Sequence, residues 1–203
     1  MKNILLIVLL SFFKFSCSQN KNEINKSEFS ELRKFVDNSY NRESKTIKTY
    51  VVNPQNGKLF LSKTDDLLSE FNFEFENAFD ILYKNKKIVY IQKTPVIQSG
   101  DSAIYYGYYF NNEGRLIGAE KSLSCFCGNN GEVLRYRLDY ELNEGTDKLE
   151  RVKEEYSDKN EKKITNLDLI KNTELIYLKE TLDKITFRDI EGFMKAEKIK
   201  YYK

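Results

Sequence analysis

The chain has no histidine and no tryptophan, and its 203 residues include only two prolines and three cysteines. Missing histidine removes the side chain most used for proton transfer near neutral pH, and with it the commonest metal ligand. There is no glycine-rich phosphate loop, no metal-binding motif and no serine beside a candidate base, so no catalytic set, cofactor or metal is expected. Asp and Glu are plentiful, but a catalytic carboxylate pair is defined by separation in space, and no spacing here selects one. A basic surplus is also missing. Of 33 basic residues, Lys2 and Lys14 lie in a leader that is expected to be removed, which leaves 31 basic against 31 acidic. Nucleic acid is therefore not an expected partner, because binding it requires cations that neutralise phosphates. Long hydrophobic runs are lacking too. The apolar run Ile4–Phe13 spans ten residues, too few to cross a bilayer as a helix.

What the chain has in quantity is alternation. Leu134-Arg135-Tyr136-Arg137-Leu138-Asp139-Tyr140-Glu141-Leu142 alternates apolar and charged residues throughout, which predicts a strand with one face on a core and one in water. On that pattern Leu138 and Tyr140 are expected on the covered face, and Arg137 and Asp139 towards solvent. Ala103–Phe110, Arg115–Cys127 and Lys148–Tyr156 flank it, separated by the turn sequences Asn111–Gly114, Gly128–Gly131 and Asn143–Gly145. Asn and Gly tolerate the positive φ that tight hairpin turns need, so an antiparallel meander is predicted. Tyr105–Leu116, echoed from Arg135 to Gly145, resembles the hairpin repeats of bacterial Rhs-type proteins. The shared feature is hairpin chemistry, and it implies no common function.

Met1-Lys2-Asn3, the apolar run and then Lys14-Phe15-Ser16-Cys17 have the layout of a secretory leader. With a small residue, Ser16, just before Cys17, this stretch resembles bacterial lipoprotein precursors. The resemblance implies a cysteine, Cys17, that is lipidated and becomes the new N-terminus. It also implies a membrane anchored domain at the outer membrane, here facing the periplasm, because Ser18-Gln19-Asn20-Lys21 lacks the acidic residues that mark surface export in some bacterial groups. Cleavage after Ser18, releasing a soluble periplasmic or extracellular protein, is the alternative. The organisation expected is thus a signal peptide through residue 17, a polar tether over 18–26, and a single α+β domain over 27–203.

Within that domain, Asn25 and Glu28 have capping-box spacing ahead of the stripe Phe29, Leu32 and Val36, which predicts a core-packed helix. Ser44–Asn53 and Lys58–Lys63 around Pro54-Gln55-Asn56-Gly57 predict a hairpin. Thr64 is expected to cap a short helix with Leu67, Leu68 and Phe71, after which Phe71, Phe73 and Phe75 alternate like a strand. Phe79–Tyr83 and Lys87–Lys93 predict another hairpin, closed by Pro95. Gln98–Ser102 reads as a loop, and Lys163–Ile170 as a further strand-like stretch. In the tail, Leu175, Leu178, Leu182 and Ile185 predict one helix, and Ile190, Phe193 and Met194 a second. The fold expected is α+β: an antiparallel meander of about six to nine strands, with the N-terminal helix and the C-terminal helices packed on one face.

Two features carry candidate sites. Alternation puts Tyr106 and Tyr108 on one face with Ile104 and Phe110, and Tyr105 and Tyr109 on the other with Ala103 and Gly107. Aromatics on both faces fit a central strand covered on both sides, and they also fit a binding surface. Cys125 and Cys127 form the second feature. Strand residues i and i+2 have Cα atoms about 6.6 Å apart and parallel Cβ directions, which argues against a mutual disulfide. Two thiolates make half a tetrahedral metal site. Parity places both cysteines with Ile117, Ala119 and Leu123, so two buried, reduced, unreactive thiols are expected. The functional expectation is a non-catalytic, lipid-anchored envelope module that binds a protein or a small ligand. The alternative is a thiol-based redox or metal-handling protein using Cys125 and Cys127.

Overall fold

A computed structural model of the chain describes residues 28–40, 47–64, 66–96, 102–125, 133–143, 145–160, 162–165 and 185–200. The leader, Cys17, Asn25, the tether, Cys127, the Gln98–Asp101 loop, the stretch after Thr165 and the Leu175–Leu182 stripe lie outside these residues.

Eight strands form one antiparallel sheet, in the order β2-β1-β3-β4-β5-β6-β7-β8. The strands are β1 (Ile47–Val52), β2 (Leu59–Leu61), β3 (Asn77–Lys84), β4 (Lys87–Pro95), β5 (Ser102–Phe110), β6 (Leu116–Cys125), β7 (Leu134–Asn143) and β8 (Lys148–Asp158). From β3 onwards each strand pairs with the next, as hairpin turn chemistry dictates. Asn85 and Lys86 turn between β3 and β4 with φ of 51° and 64°, and Gly114 closes the β5–β6 turn with φ of 78°. The β1–β2 hairpin sits outside that meander, because β1 uses its other edge for β3. Helix α1 covers residues 28–40, α2 is Leu67–Glu70 and α3 is Ile190–Ala196. The α+β meander with its N- and C-terminal helices is thus the architecture.

The helices do not share a face. Phe29 of α1 meets Tyr109 edge-on, with ring centroids 5.1 Å apart, while Phe193 of α3 meets Tyr108 at 5.2 Å. Tyr108 and Tyr109 are neighbours in a strand and point to opposite sides. Consequently α1 and α3 pack on opposite faces, which corrects the expectation of one face. The reason lies in the central strands, which are apolar on both sides. Phe79, Ile91, Tyr108, Phe110, Leu123 and Leu138 are buried with Phe187 and Phe193 in one core. Leu82, Tyr90, Tyr109 and Ile117 are buried with Phe29, Leu32 and Val36 in the other. Burying such a side chain contributes roughly 1.5–3 kcal/mol, so either bare face would be costly.

Local corrections have local causes. Asp66, not Thr64, caps α2, its carboxylate accepting from the Ser69 amide. Glu70 instead gathers the 63–64 turn, accepting from the Lys63 amide at 2.8 Å, and the Ser62 hydroxyl together with these amides holds its carboxyl below its ordinary value. Phe71, Phe73 and Phe75 alternate but have no partner strand. β3 starts only at Asn77, and the three rings cluster with Phe60 at centroid distances of 5.3–6.5 Å. The β5–β6 register slips between Tyr109 and Phe110, and this bulge turns Ile117 onto the α1 face, away from Ala119, Leu123 and Cys125.

α3 is tied to the hairpin ends. Asp189 caps it, accepting from the Gly192 amide at 2.7 Å, and the Leu116 and Lys200 amides donate to Arg188 and Gly57 carbonyls, both at 2.8 Å. Among the described residues no helix is long and apolar enough to cross a membrane.

Candidate functional site

The α1 face of the sheet is built from small and polar residues in register. Gly107, Glu120, Asp139 and Lys153 lie in one row across β5–β8, and Tyr105, Ser122, Arg137 and Glu155 in the next. Two glycines let the layers approach. A Cβ on Gly118 would stand 2.3 Å from the Phe29 ring, and one on Gly107 would stand 2.5 Å from the Tyr90 hydroxyl. Glycine is required there by space, not by backbone conformation.

Under α1 lies a closed polar network. Glu120, 6% exposed, accepts from the Tyr90 hydroxyl at 2.6 Å, from the Tyr109 hydroxyl at 2.7 Å, and from Arg137 Nη2. Arg137 also donates through Nε to Asp139 at 3.0 Å and through Nη1 to Asp37 of α1 at 3.2 Å. Asp139, 1% exposed, is held from the other side by Arg33 of α1 at 2.6 Å. Arg33 also reaches Glu155 at 3.7 Å, and Lys153 pairs with Glu155 at 2.6 Å. Arg33 Nε is buried without a hydrogen-bond partner, its ion-pair contact being Asp37 Oδ2 at 3.9 Å. Asp139 is therefore not solvent-facing, and Arg137 is half-buried, its guanidinium turned to these carboxylates. α1 covers the Arg137–Asp139 part of the polar face of β7, and apart from Arg33 Nε the charges there are paired with one another.

The electrostatics follow from this enclosure. Burial, reinforced by the Glu120 charge, pushes the Tyr90 and Tyr109 phenols well above their ordinary value. For Arg137, burial opposes the charge, but Glu120, Tyr109, Asp139 and Asp37 outweigh it and keep the guanidinium firmly protonated. Burial raises Asp139 above the ordinary carboxylate range, against the pull of Arg137 and Arg33.

Beyond the end of this network the space opens into a cleft of about 610 Å³ between α1 and β4–β8. Arg33, Asp37 and Tyr40 form its helical wall, and Ser122, Ser124 and Arg135 part of its floor. Its donors, acceptors and charges are held in fixed positions, which suits recognition. Among the described residues no group of three or more Cys, Asp or Glu is placed to hold a metal ion.

The residues singled out by sequence are scattered relative to this cleft. Tyr105 lines it. Tyr109 is fully buried and serves as a donor in the network. Tyr106 and Tyr108 are on the opposite face, Tyr106 under the Lys121 ammonium at 5.7 Å and Tyr108 against Phe187 and Phe193. The parity assigned to all four tyrosines holds. Cys125 is buried at the end of β6, on the α3 face, and is disulfide-bonded, which corrects the expectation of two reduced thiols. Its partner lies outside the described residues. The strand geometry that argued against a bridge ends with β6, at Cys125 itself. Cys17 and Cys127 also lie outside.

Sequence reasoning missed Arg33, Asp37, Glu120, Arg137 and Asp139. The usable signal was Gly107 and Gly118, two side-chain-free positions on the same face as Glu120, where another element could come close. Comparison of the chain with protein-family models, curated proteins and solved structures finds no match in any of the three.

Proposed function

We propose that this protein is a lipid-anchored component of a bacterial cell envelope, non-catalytic, whose folded domain binds a small polar ligand in the cleft between α1 and β4–β8. The observation that carries the binding reading is preorganisation. Arg33, Asp37, Glu120, Arg137 and Asp139 are locked together before any ligand arrives. Binding then costs little side-chain ordering at this wall. The anchor rests on Cys17 and the leader, and the disulfide at Cys125 supports an oxidising compartment. The disulfide also favours the second reading, a thiol-based redox protein. Titration of the full chain against a glutathione redox series separates them, because a structural bridge stays oxidised at ratios where a redox-active one opens.

The binding reading is tested by thermal denaturation of the full chain in detergent with a panel of neutral polyols, small anions, small cations and short peptides. A ligand that uses the cleft raises the melting temperature of the natural protein but not of Ser124→Trp, in which the indole fills the floor. If no member of the panel gives a stabilisation that depends on Ser124, the reading fails.

A further inference from the structure

The cleft's chemistry is one-sided. Each carboxylate lining it has donors of its own: Glu120 has Tyr90, Tyr109 and Arg137, Asp37 has Arg33 and Arg137, and Glu155 has Lys153 and Arg33. The groups still to be engaged are of the opposite kind. The hydroxyls of Ser122, Ser124 and Tyr105 and the ammonium of Lys163 line the same space, partly exposed, and make no side-chain hydrogen bond or ion pair among the described residues. Strand register brings them together. Tyr105 pairs with Ser122 and Ser124 with Arg135, which pairs with Ser157, and Ser157 bridges to Lys163. The exposed end of the floor therefore combines hydroxyls with a cation, while the acids that line the cleft, Glu155 in the Ser122 row among them, are already paired with cations.

An occupant that completes this set brings oxygen acceptors and negative charge, and carries hydroxyls or ether oxygens to meet the serines. The volume, about 610 Å³, lies in the range of small-molecule pockets. We infer that the cleft takes a small, hydroxylated organic anion, with its carboxylate or phosphate group towards Lys163 and Ser124 and the rest of the molecule against Tyr105. This rests on the binding reading above and gives the ligand's class. A cationic ligand would meet the Lys163 ammonium, and among the described residues that line the cleft every carboxylate is already engaged. A neutral polyol would bring the Lys163 ammonium no counter-charge.

The test is calorimetric titration of the full chain in detergent with four probes built on one hexose ring: glucuronate, glucose 6-phosphate, glucose and glucosamine. At least one of the two anions is expected to bind about tenfold or more tightly than glucose, as hydrogen bonds to a charged group imply. Which anion binds distinguishes a carboxylate from a phosphate ligand. Lys163→Gln, a change at an exposed position that leaves the fold intact by circular dichroism, is expected to weaken the anion by about tenfold, and added salt to weaken it further. Ser124→Ala is expected to weaken it less. Glucose or glucosamine binding as tightly as the anions, with Ser124→Trp abolishing both, would overturn the anion assignment while leaving the binding reading in place. Failure of both anions to bind in the millimolar range, or binding indifferent to Lys163, would overturn it too.

Discussion

Arg33 of α1 and Asp139 of β7 are 106 positions apart in sequence, yet their side chains meet at 2.6 Å beneath the helix. Asp139 is as deeply buried as the core residues Leu116 and Leu123, at 1% exposure. The contact fixes how α1 crosses the sheet and so defines one wall of the cleft. Buried ion pairs contribute little net stability compared with apolar packing, but breaking one from a single side is costly.

That asymmetry makes Arg137 and Leu138 comparably sensitive, although they face opposite ways. Arg137→Ala leaves Glu120 buried without its counter-charge and Asp139 with Arg33 alone, and should cost about 3–5 kcal/mol. Leu138→Ala opens a cavity in the α3-side core and should cost about 2–5 kcal/mol. Urea denaturation of both variants checks this, and a loss below about 0.5 kcal/mol for Arg137→Ala would place that side chain in solvent.

Gly118→Ala should destabilise by about 1–3 kcal/mol through overpacking, since its methyl would stand 2.3 Å from the Phe29 ring and 2.8 Å from the Tyr140 carbonyl oxygen. Pairing it with Phe29→Leu removes the ring clash. A double-mutant cycle should show coupling between these residues, and strict additivity would mean that α1 does not rest on Gly118.

Alkali should unfold the protein cooperatively. Burial raises the phenols of Tyr90, Tyr108, Tyr109 and Tyr136 well above the ordinary value of 10.0, and that of Tyr156 to about 12. Below pH 10 these groups are protonated in both the folded and the unfolded chain, and their contribution to stability is complete. Above it the unfolded chain releases protons that the fold retains, so stability falls as pH rises. Tyrosinate absorbance for these residues should appear together with loss of the sheet signal in circular dichroism. Gradual ionisation of all tyrosines with the sheet intact would contradict their burial.

The bridge at Cys125 should be visible by intact mass. Reduction of the protein should add two hydrogen atoms per bridge and lower the melting temperature, because Cys125 is buried next to the core of β6 and β7. An unchanged mass after denaturing reduction would mean that the thiol is free.

Lipid anchoring should give a protein that partitions into detergent and incorporates labelled palmitate, both lost in Cys17→Ala. Recovery of a soluble, unlabelled protein beginning at Gln19 would establish simple secretion instead.

Much of the sheet could be read directly from the chain. Asn and Gly at the hairpins, with period-two alternation between them, placed β3–β8 within a few residues, because turns and side-chain parity are set by local backbone chemistry. The same parity assigned Tyr105, Tyr106, Tyr108 and Tyr109 to their faces, and the stripe Phe29, Leu32 and Val36 marked the buried side of α1. Local pattern misled where a partner decides the outcome. Phe71–Phe75 alternate like a strand and have none to pair with, and a bulge turned Ile117 to the other side.

The candidate site was illegible for a related reason. Alternation says that Arg137 and Asp139 share a face opposite Leu138, and it says nothing of what covers that face. Glu120, Asp139 and Arg137 read as solvated charges until α1, from far away in sequence, brings Arg33 and Asp37 over them. By itself the sequence determined the strands, their turns and which residues lie together on each face. Only the tertiary structure decided which faces are covered, because burial of a charge depends on counter-charges that arrive from elsewhere in the chain.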